Sequence, residues 1–329
     1  MDESQVLETS VHAWNKVDTH ELAELTCSAL TNTGQGQLTI ERTEDWLNRL
    51  EFERAPVAIK AHLAGKLVGW LLLFSHDDKR AEINPWALNG HPLVAPETNH
   101  KQVACKLIQQ AISFAEEQGL TRIELSFRRT IGDPTQTYEK YGMWYKSIGM
   151  RLLTETAIMR CVLSDFDFEN ARIPSHYRVK ALIDADENEL YQCYYRVFST
   201  GQDRFFLDQT DAERRAFFDQ TFNRSEPLNA DTSFALMKDQ QIIGFSLVRP
   251  THGEGNCHLW MFGIHPDYRR RRLGKSLLQL IMETSAQDGF KTMSLACELS
   301  NVPAYELYRG QGFKKEFSKI EYAWKAGRA

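Results

Sequence analysis

Four consecutive arginines, Arg269 to Arg272, run directly into "LGKSLLQLI", an apolar stretch with helical spacing. Leu273, Leu277, Leu280 and Ile281 fall at i, i+4, i+7 and i+8, so a helix is expected to start at about Arg272 or Leu273. The first turn of a helix leaves backbone N–H groups without partners and carries partial positive charge. A basic loop feeding such an end suits a phosphate group, and arginines add charge and paired donors. Arg269, Arg270, Arg271, Arg272, Leu273, Gly274 and Lys275 are therefore expected to bind a phosphorylated small molecule. The competing reading of the run is a solvated or nucleic-acid-facing patch, and the strand and helix that flank it count against that.

The run follows "HLWMFGIHPD", a strand pattern that closes on Ile264 and Pro266, with His258 six residues before Ile264. About 40 residues later stands "NVPAYELYRGQGF", carrying Asn301, Ala304, Leu307, Tyr308, Gly312 and Phe313. These two stretches, in this order, resemble the GNAT superfamily of acyl-CoA-dependent N-acyltransferases. Ile264 and Pro266 match its Val-x-Pro strand end, Arg269 and Gly274 match its pyrophosphate loop, and the later stretch matches its Asn-to-Phe signature. The resemblance is close over roughly 180–329 and weak over 15–160. One departure stands out: Arg272 occupies the place of the loop's first glycine, and an arginine there is expected to take a non-glycine conformation.

The resemblance implies acetyl-CoA as co-substrate, no metal, and a splayed strand at Phe262, Gly263 and Ile264 offering backbone groups to the pantetheine arm. It implies that Tyr308 is a general acid: a phenol with an ordinary pKa near 10 can protonate a thiolate whose acid has a pKa of about 8.5. An amine acceptor is mostly charged at neutral pH, so a base must remove a proton, and the resemblance points to His258. Glu254, in "THGEGN", and Glu298, closing "SLACE", are the reserve bases, while Asn301 would bind the cofactor or order its loop.

The elements that must position these residues occur twice. "GLTRIELSF" (119–127) echoes "GFKTMSLAC" (289–297), "GKLVGWLLL" (65–73) echoes "QQIIGFSLV" (240–248), and "YKSIGM" (145–150) echoes "YRGQGF" (308–313). The order is kept while the offset drifts by a few residues, as loop insertions in two copies of one fold would produce. The expected fold is α/β: two tandem GNAT-like domains, each a mixed, mostly antiparallel sheet flanked by helices. The expected boundaries are 1–163, a linker at 164–176 within the polar "SDFDFENARIPSHY", and 177–329. Tandem architecture of this kind resembles the mycothiol-synthase group. Both copies open on an Asp before a helical pattern, and Asp18 with Glu21 has the spacing of a capping box.

The first copy departs from the motifs. Asn99 stands in place of the basic residue, Gln102 in place of the first glycine and Tyr138 in place of Asn301, although Ala104 and Tyr145 still match. That copy is expected to be non-catalytic, shaping the acceptor pocket or stabilising the pair. Trp70, Trp86 and Trp144 read as core or interface residues, with an acceptor pocket as the alternative.

Bulk properties set the remaining expectations. The net charge is −5, with an acidic excess confined to residues 1–165 (17 Lys and Arg against 22 Asp and Glu), which argues against nucleic-acid binding. That excess suits a cationic acceptor such as a polyamine or aminosugar. No apolar run approaches the roughly 18 residues of a membrane span, and "MDESQVLETS" has no basic-then-apolar order, so no signal peptide is expected. Six cysteines form no C-x-x-C pair, which suggests buried thiols in a cytoplasmic protein. The function expected is N-acetylation of a small-molecule primary amine by a monomer or homodimer, independent of nucleic acid or membrane. A catalytically silent acyl-CoA-binding or scaffold protein, and a protein N-acetyltransferase, are the alternatives.

Overall fold

The structure, a computed structural model, describes residues 6–30, 38–50, 54, 56–84, 91–130, 135–166, 172–201, 203–223, 231–251 and 253–327. Trp86 and part of the 164–176 segment lie outside these residues. The sequence half up to the linker forms β1 (Leu7–Ala13), α1 (Thr19–Leu30), α2 (Ile40–Asn48), β2 (Val57–Leu63), β3 (Lys66–Ser75), β4 (Arg80–Ile83), β5 (Leu93–Val94), α3 (His100–Glu117), β6 (Arg122–Thr130), α4 (Thr135–Ser147) and β7 (Arg151–Val162). The second half forms β8 (Arg178–Ala181), α5 (Glu187–Ser199), α6 (Arg204–Leu207), α7 (Asp211–Thr221), β9 (Phe234–Lys238), β10 (Gln241–Pro250), β11 (Asn256–Ile264), α8 (Leu273–Gln287), β12 (Thr292–Glu298), α9 (Val302–Gly310) and β13 (Lys314–Lys325).

Two compact units result, one of Met1–Leu153 with Lys319–Ala329 and one of Thr154–Ser318. A cut at the linker would give each half its own last strand, and the structure differs from that. In the first unit the strand order is β1-β2-β3-β4-β6-β13, with β5 on β3, so the end of the chain completes this sheet. Ile320, Tyr322 and Trp324 of β13 join its core, and the Ala326 N–H donates to the Thr121 carbonyl at 2.9 Å. In the second unit the order is β7-β12-β11-β10-β9-β8, with β7 antiparallel to β12 from Thr156↔Glu298 to Val162↔Thr292. Alternation marks these segments as strands, but it does not encode which edge they will pair with.

Each sheet is mostly antiparallel with one parallel pair, β4 with β6 and β11 with β12. The internal echo survives at atomic level. In both β3 and β10 the second to eighth residues are buried. Each carries a glycine where a Cβ would collide with its neighbours: Gly69 would meet Val103 Cγ1 at 2.6 Å, and Gly244 would meet Ile264 Cδ1 at 2.7 Å.

Helix α8 buries Leu273, Leu277, Leu278, Ile281 and Met282 against the second sheet, each contributing roughly 2 kcal/mol of apolar burial. Helix α5 buries Leu190, Cys193, Tyr194 and Val197 on a separate core with Phe245 and Leu247. Asp18 accepts from the His20 and Glu21 N–H groups, whereas the Glu21 carboxylate turns to Lys60 Nζ at 2.6 Å, so the capping box is only half formed. Trp70 and Trp144 are buried, and Trp70 Nε1 donates to Thr26 Oγ1 at 3.2 Å. All six cysteines are free thiols. No helix among the described residues is long and apolar enough to cross a membrane.

Candidate active site

Strand β11 is paired to β12 only from Asn256↔Thr292 to Leu259↔Leu295. Beyond that point the two parallel strands part. The divergence begins at an extra residue: Val248 pairs with Leu259 and Leu247 with Met261, which leaves Trp260 as a bulge. The bulge reverses the faces of the strand. Cys257 and Leu259 point into the core beneath α8 before it, and Phe262 and Ile264 point there after it, while Met261 joins the α5 core. Trp260 itself is 48% exposed. An opening therefore lies beside Trp260–Ile264, along the strand named from the sequence. Gly263 is required here, because a Cβ would collide with the Val197 side chain of α5.

At the end of β11 the chain turns through Pro266–Tyr268 and reaches α8. Arg269 is not aimed outward. Its Nε donates to the Ile264 carbonyl at 3.0 Å and its Nη2 to the Val197 carbonyl at 2.9 Å, so it ties the loop to β11 and α5. Arg271 donates to the Asp267 carbonyl at 3.0 Å and lies over the Tyr268 ring. Arg270, Arg272 and Lys275 make no hydrogen bond or ion pair with the described residues.

Arg272 corrects the sequence expectation. It takes the left-handed conformation, φ 62° and ψ 3°, which the family glycine would supply, and Arg270 does so too at φ 59°. That geometry costs an L-residue roughly 1–2 kcal/mol. The turn is thus preserved while the side chain changes. Arg272 is the N-cap of α8 and offers no side-chain cap; no acidic residue occupies the first turn, and the first intrahelical bond runs from Ser276 N–H to Arg272 O at 3.0 Å. The N–H groups of Leu273, Gly274 and Lys275 are left without an acceptor among the described residues. Arg272→Gly is expected to raise stability by about 0.5–1 kcal/mol, read as an upward shift of the urea midpoint at constant slope.

Gly274 sits against β11 and α9: a Cβ there would be 3.5 Å from Leu307 Cδ2, 3.7 Å from Ile264 Cγ1 and 4.0 Å from Phe262 Cζ. Tyr308 is 8% exposed, edge-on to Phe262 at 6.2 Å and to Phe313 at 6.0 Å between ring centres. Its hydroxyl has no hydrogen bond to the described residues, and burial pushes the phenol well above its ordinary pKa, with the nearby Cys297 adding to the effect. Phe262, Ile264, Gly274 and Tyr308 are therefore brought together beside an open helix N-terminus.

The other candidates are distributed differently. His258 lies two residues before the bulge, on the opposite face from Phe262; its Nδ1 is 2.9 Å from Ser294 Oγ and its pKa is lowered by burial. Glu298 ends β12 opposite Thr156 and accepts from the Ser300 hydroxyl at 3.1 Å. Glu254 is exposed in the turn before β11, ten residues and roughly 30 Å of strand from Ile264. Asn301 caps α9, its Oδ1 accepting from the Ala304 N–H at 3.4 Å. Sequence reasoning missed Ser294 and Val197, whose parts depend on strand register and on a backbone carbonyl. Among the described residues no group of three or more His, Cys, Asp or Glu is placed to hold a metal ion.

The equivalent place in the first unit is partnered differently. Helix α3 is capped by Asn99, whose side chain accepts from Gln102 N–H at 3.2 Å. Tyr145, the counterpart of Tyr308, has its hydroxyl hydrogen-bonded to His91 Nδ1, and the His91 ring stacks on Phe127 at 4.6 Å and lies 4.1 Å from Tyr141.

A parallel strand pair that parts at a bulge thus lies beside an uncapped helix start and a buried tyrosine from the helix after β12. The chain belongs to the acetyltransferase (GNAT) family, whose model matches it twice, over residues 19–143 and 188–313. It is 23% identical over 168 residues to the mycothiol acetyltransferase of Streptomyces scabiei, a match covering 50% of this chain and 52% of that protein. The match thus spans about half the length of that relative. Two solved structures share the fold. A GCN5-related N-acetyltransferase from Sphaerobacter thermophilus aligns at TM-score 0.61 and 14% identity, over 97% of this chain and 95% of that one. A tandem GNAT protein from the clavulanic acid biosynthesis pathway aligns at 0.54 and 16% identity, over 98% and 100%.

Proposed function

We propose that the chain is an acetyl-CoA-dependent N-acetyltransferase acting on the primary amine of a small molecule. The observation that carries this reading is the uncapped start of α8 opening beside Phe262 and Tyr308. The fit of the co-substrate rests on unpartnered N–H groups that a diphosphate would satisfy. The N–H groups of Leu273, Gly274 and Lys275 would hold it, with Arg270, Arg272 and Lys275 adding charge, while Arg269 and Arg271 brace the loop. When bound, acetyl-CoA supplies an activated acyl thioester.

The chain's own residues supply the proton transfers. His258 is neutral near pH 7 because burial lowers its pKa, so it can take the amine proton. It stands roughly 7 Å along the strand from the opening at Trp260 and on the opposite face from Phe262, so a water relay would have to carry the proton. Tyr308, its pKa raised by burial, keeps its proton throughout the working range and delivers it to the departing sulfur. One proton leaves nitrogen, one reaches sulfur, and the C–N bond replaces the C–S bond. Glu298 is the reserve base at the open end of β12. Asn301 acts as a helix cap that sets the position of α9 and hence of Tyr308.

The first unit is proposed as non-catalytic. Asn99 caps the helix end that would meet phosphate, accepting from Gln102 N–H, and His91 engages the tyrosine that would donate the proton. His91 also predicts a pH effect. Desolvation pushes its pKa down to about 3, so the unfolded chain binds a proton that the folded chain refuses between about pH 6.5 and 3. Stability is full above about 6.5 and declines on acidification by about 1.4 kcal/mol per pH unit. Between pH 7 and 5 the His91→Phe variant should lose about 2 kcal/mol less than the parent chain in urea titrations.

The direct test is thiol release from acetyl-CoA with spermidine, glucosamine and an alanine-terminated peptide as acceptors. Turnover with one of the first two is expected. Turnover with the peptide alone would instead favour a protein substrate. Acetyl-CoA binding without turnover on any amine tested would make the chain a silent binder.

A further inference from the structure

Residues Ser294, His258 and Cys257 form a short hydrogen-bond chain across the last closed part of the β11–β12 pair. The parallel register sets His258 opposite Ser294, one pair before the strands part. Ser294 Oγ donates to the Cys257 carbonyl at 3.3 Å and stands 2.9 Å from His258 Nδ1. A serine hydroxyl has one proton and two acceptor sites. With that proton directed to the carbonyl, the oxygen can only accept from the imidazole, so Nδ1 must carry hydrogen. A neutral imidazole has one bare nitrogen, and in that arrangement it is Nε2, which makes no hydrogen bond with the described residues.

The ring is held on a second side by Trp260, edge-on at 5.6 Å. Among the described residues, strand register sets two charged groups beside this part of the sheet: Arg249, paired with His258 across β10, and Arg160, paired with Ser294 across β7 and bridged to Glu316 at 2.8 Å. Arg249 donates to the Thr221 carbonyl at 2.7 Å and lies over Trp260. Neither arginine can accept a proton from the ring, so neither can take over the part of the serine oxygen.

We propose that Ser294 is a positioning residue that locks His258 in the Nδ1–H tautomer, presenting Nε2 as the proton-accepting nitrogen. This rests on the reading of His258 as the general base. A free imidazole distributes its proton over both nitrogens, so a base that must accept at Nε2 gains from a partner that accepts only at Nδ1. The ring as a whole stays in place if the partner is removed, because the strand and Trp260 still hold it. What changes is the fraction of molecules with the correct nitrogen free.

The experiment combines long-range 1H–15N spectra of the histidine-labelled full chain with steady-state kinetics on the panel amine that turns over fastest. His258→Asn assigns the resonance. The parent chain at pH 8 should show His258 with Nδ1 protonated and Nε2 bare. Ser294→Ala, with an unchanged melting temperature, should show a tautomer mixture and a kcat lower by about five- to tenfold, with the KM for acetyl-CoA unmoved. The protonated ring donates to the hydroxyl more strongly than the neutral ring does, so its removal should also move the acid limb of the kcat profile to lower pH. Ser294→Thr, which keeps the hydroxyl, should recover most of the loss. A parent spectrum with the proton on Nε2, or a folded Ser294→Ala chain with full kcat, overturns the proposal. Full turnover in His258→Asn overturns the base assignment and the catalytic use of the lock with it, whereas the spectrum reads the lock independently.

Discussion

Tyr308→Phe is expected to lower kcat by about 10²- to 10³-fold, the span ascribed to loss of a positioned general acid, while the dissociation constant of acetyl-CoA stays the same. The substitution removes a single oxygen. Because the hydroxyl has no hydrogen bond to the described residues and the ring is held by Phe262 and Phe313, the fold should lose less than about 1 kcal/mol. The loss should therefore appear as kcat and kcat/KM falling together, the sign of an interaction made only as the bond breaks. Burial raises the phenol above its ordinary pKa, so no basic limb from Tyr308 should appear below pH 10. A variant that keeps its turnover, or that binds acetyl-CoA weakly, would assign Tyr308 to packing in the core.

The second large effect concerns charge at the start of α8. Reversing both free arginines, Arg270→Glu with Arg272→Glu, changes the local charge by four units beside three unpartnered N–H groups. The dissociation constant of acetyl-CoA should rise about 30- to 100-fold at low salt, equivalent to about 2–3 kcal/mol. Exposed charges are screened over about 10 Å at 0.1 M salt, so the difference should shrink several-fold at 0.5 M. At saturating acetyl-CoA, kcat should be kept, since both arginines are proposed to act on the diphosphate and not on the thioester. Arg269→Glu should behave otherwise. Its guanidinium holds the Ile264 and Val197 carbonyls, so this variant should lose stability as well as affinity. Calorimetric titration against acetyl-CoA at two salt concentrations separates the two behaviours.

Much of this site is written locally in the chain, and local features are the ones that could be read. The start of α8 follows from the periodicity of Leu273, Leu277 and Ile281, and the tandem copies follow from short echoes kept in order. The glycines at 69 and 244 share one steric reason. What could not be read depends on partners distant in sequence. The exchange of β7 and β13 between units leaves both segments with ordinary strand alternation. The bulge at Trp260, which reverses the strand's faces, is a matter of pairing with β10. Without it, His258 and Phe262 would appear to share a face, since their spacing is even.

The surroundings of individual candidate residues were hidden for similar reasons. Arg269 has the right type and place for a phosphate contact, yet two backbone carbonyls claim its donors. Asn301 lies in the matching signature but caps its own helix. Glu254 is near His258 in sequence and far from the start of α8 in space, because β11 runs between them. Arg272 differs in the opposite sense: the residue type argued for a non-glycine conformation, and the backbone is left-handed. Position in the fold outweighed intrinsic preference there, at a local cost that the Arg272→Gly variant should recover.

The central proposition is that the backbone amides opening α8 hold a diphosphate with the acyl end directed toward Tyr308. The most direct measurement is a crystal structure of the full chain grown with acetyl-CoA. The predicted result is diphosphate oxygens within hydrogen-bond distance of the Leu273, Gly274 and Lys275 N–H groups, and the thioester sulfur within reach of the Tyr308 hydroxyl. A co-substrate bound instead at the start of α3, or at α8 with its sulfur remote from Tyr308, would contradict the account.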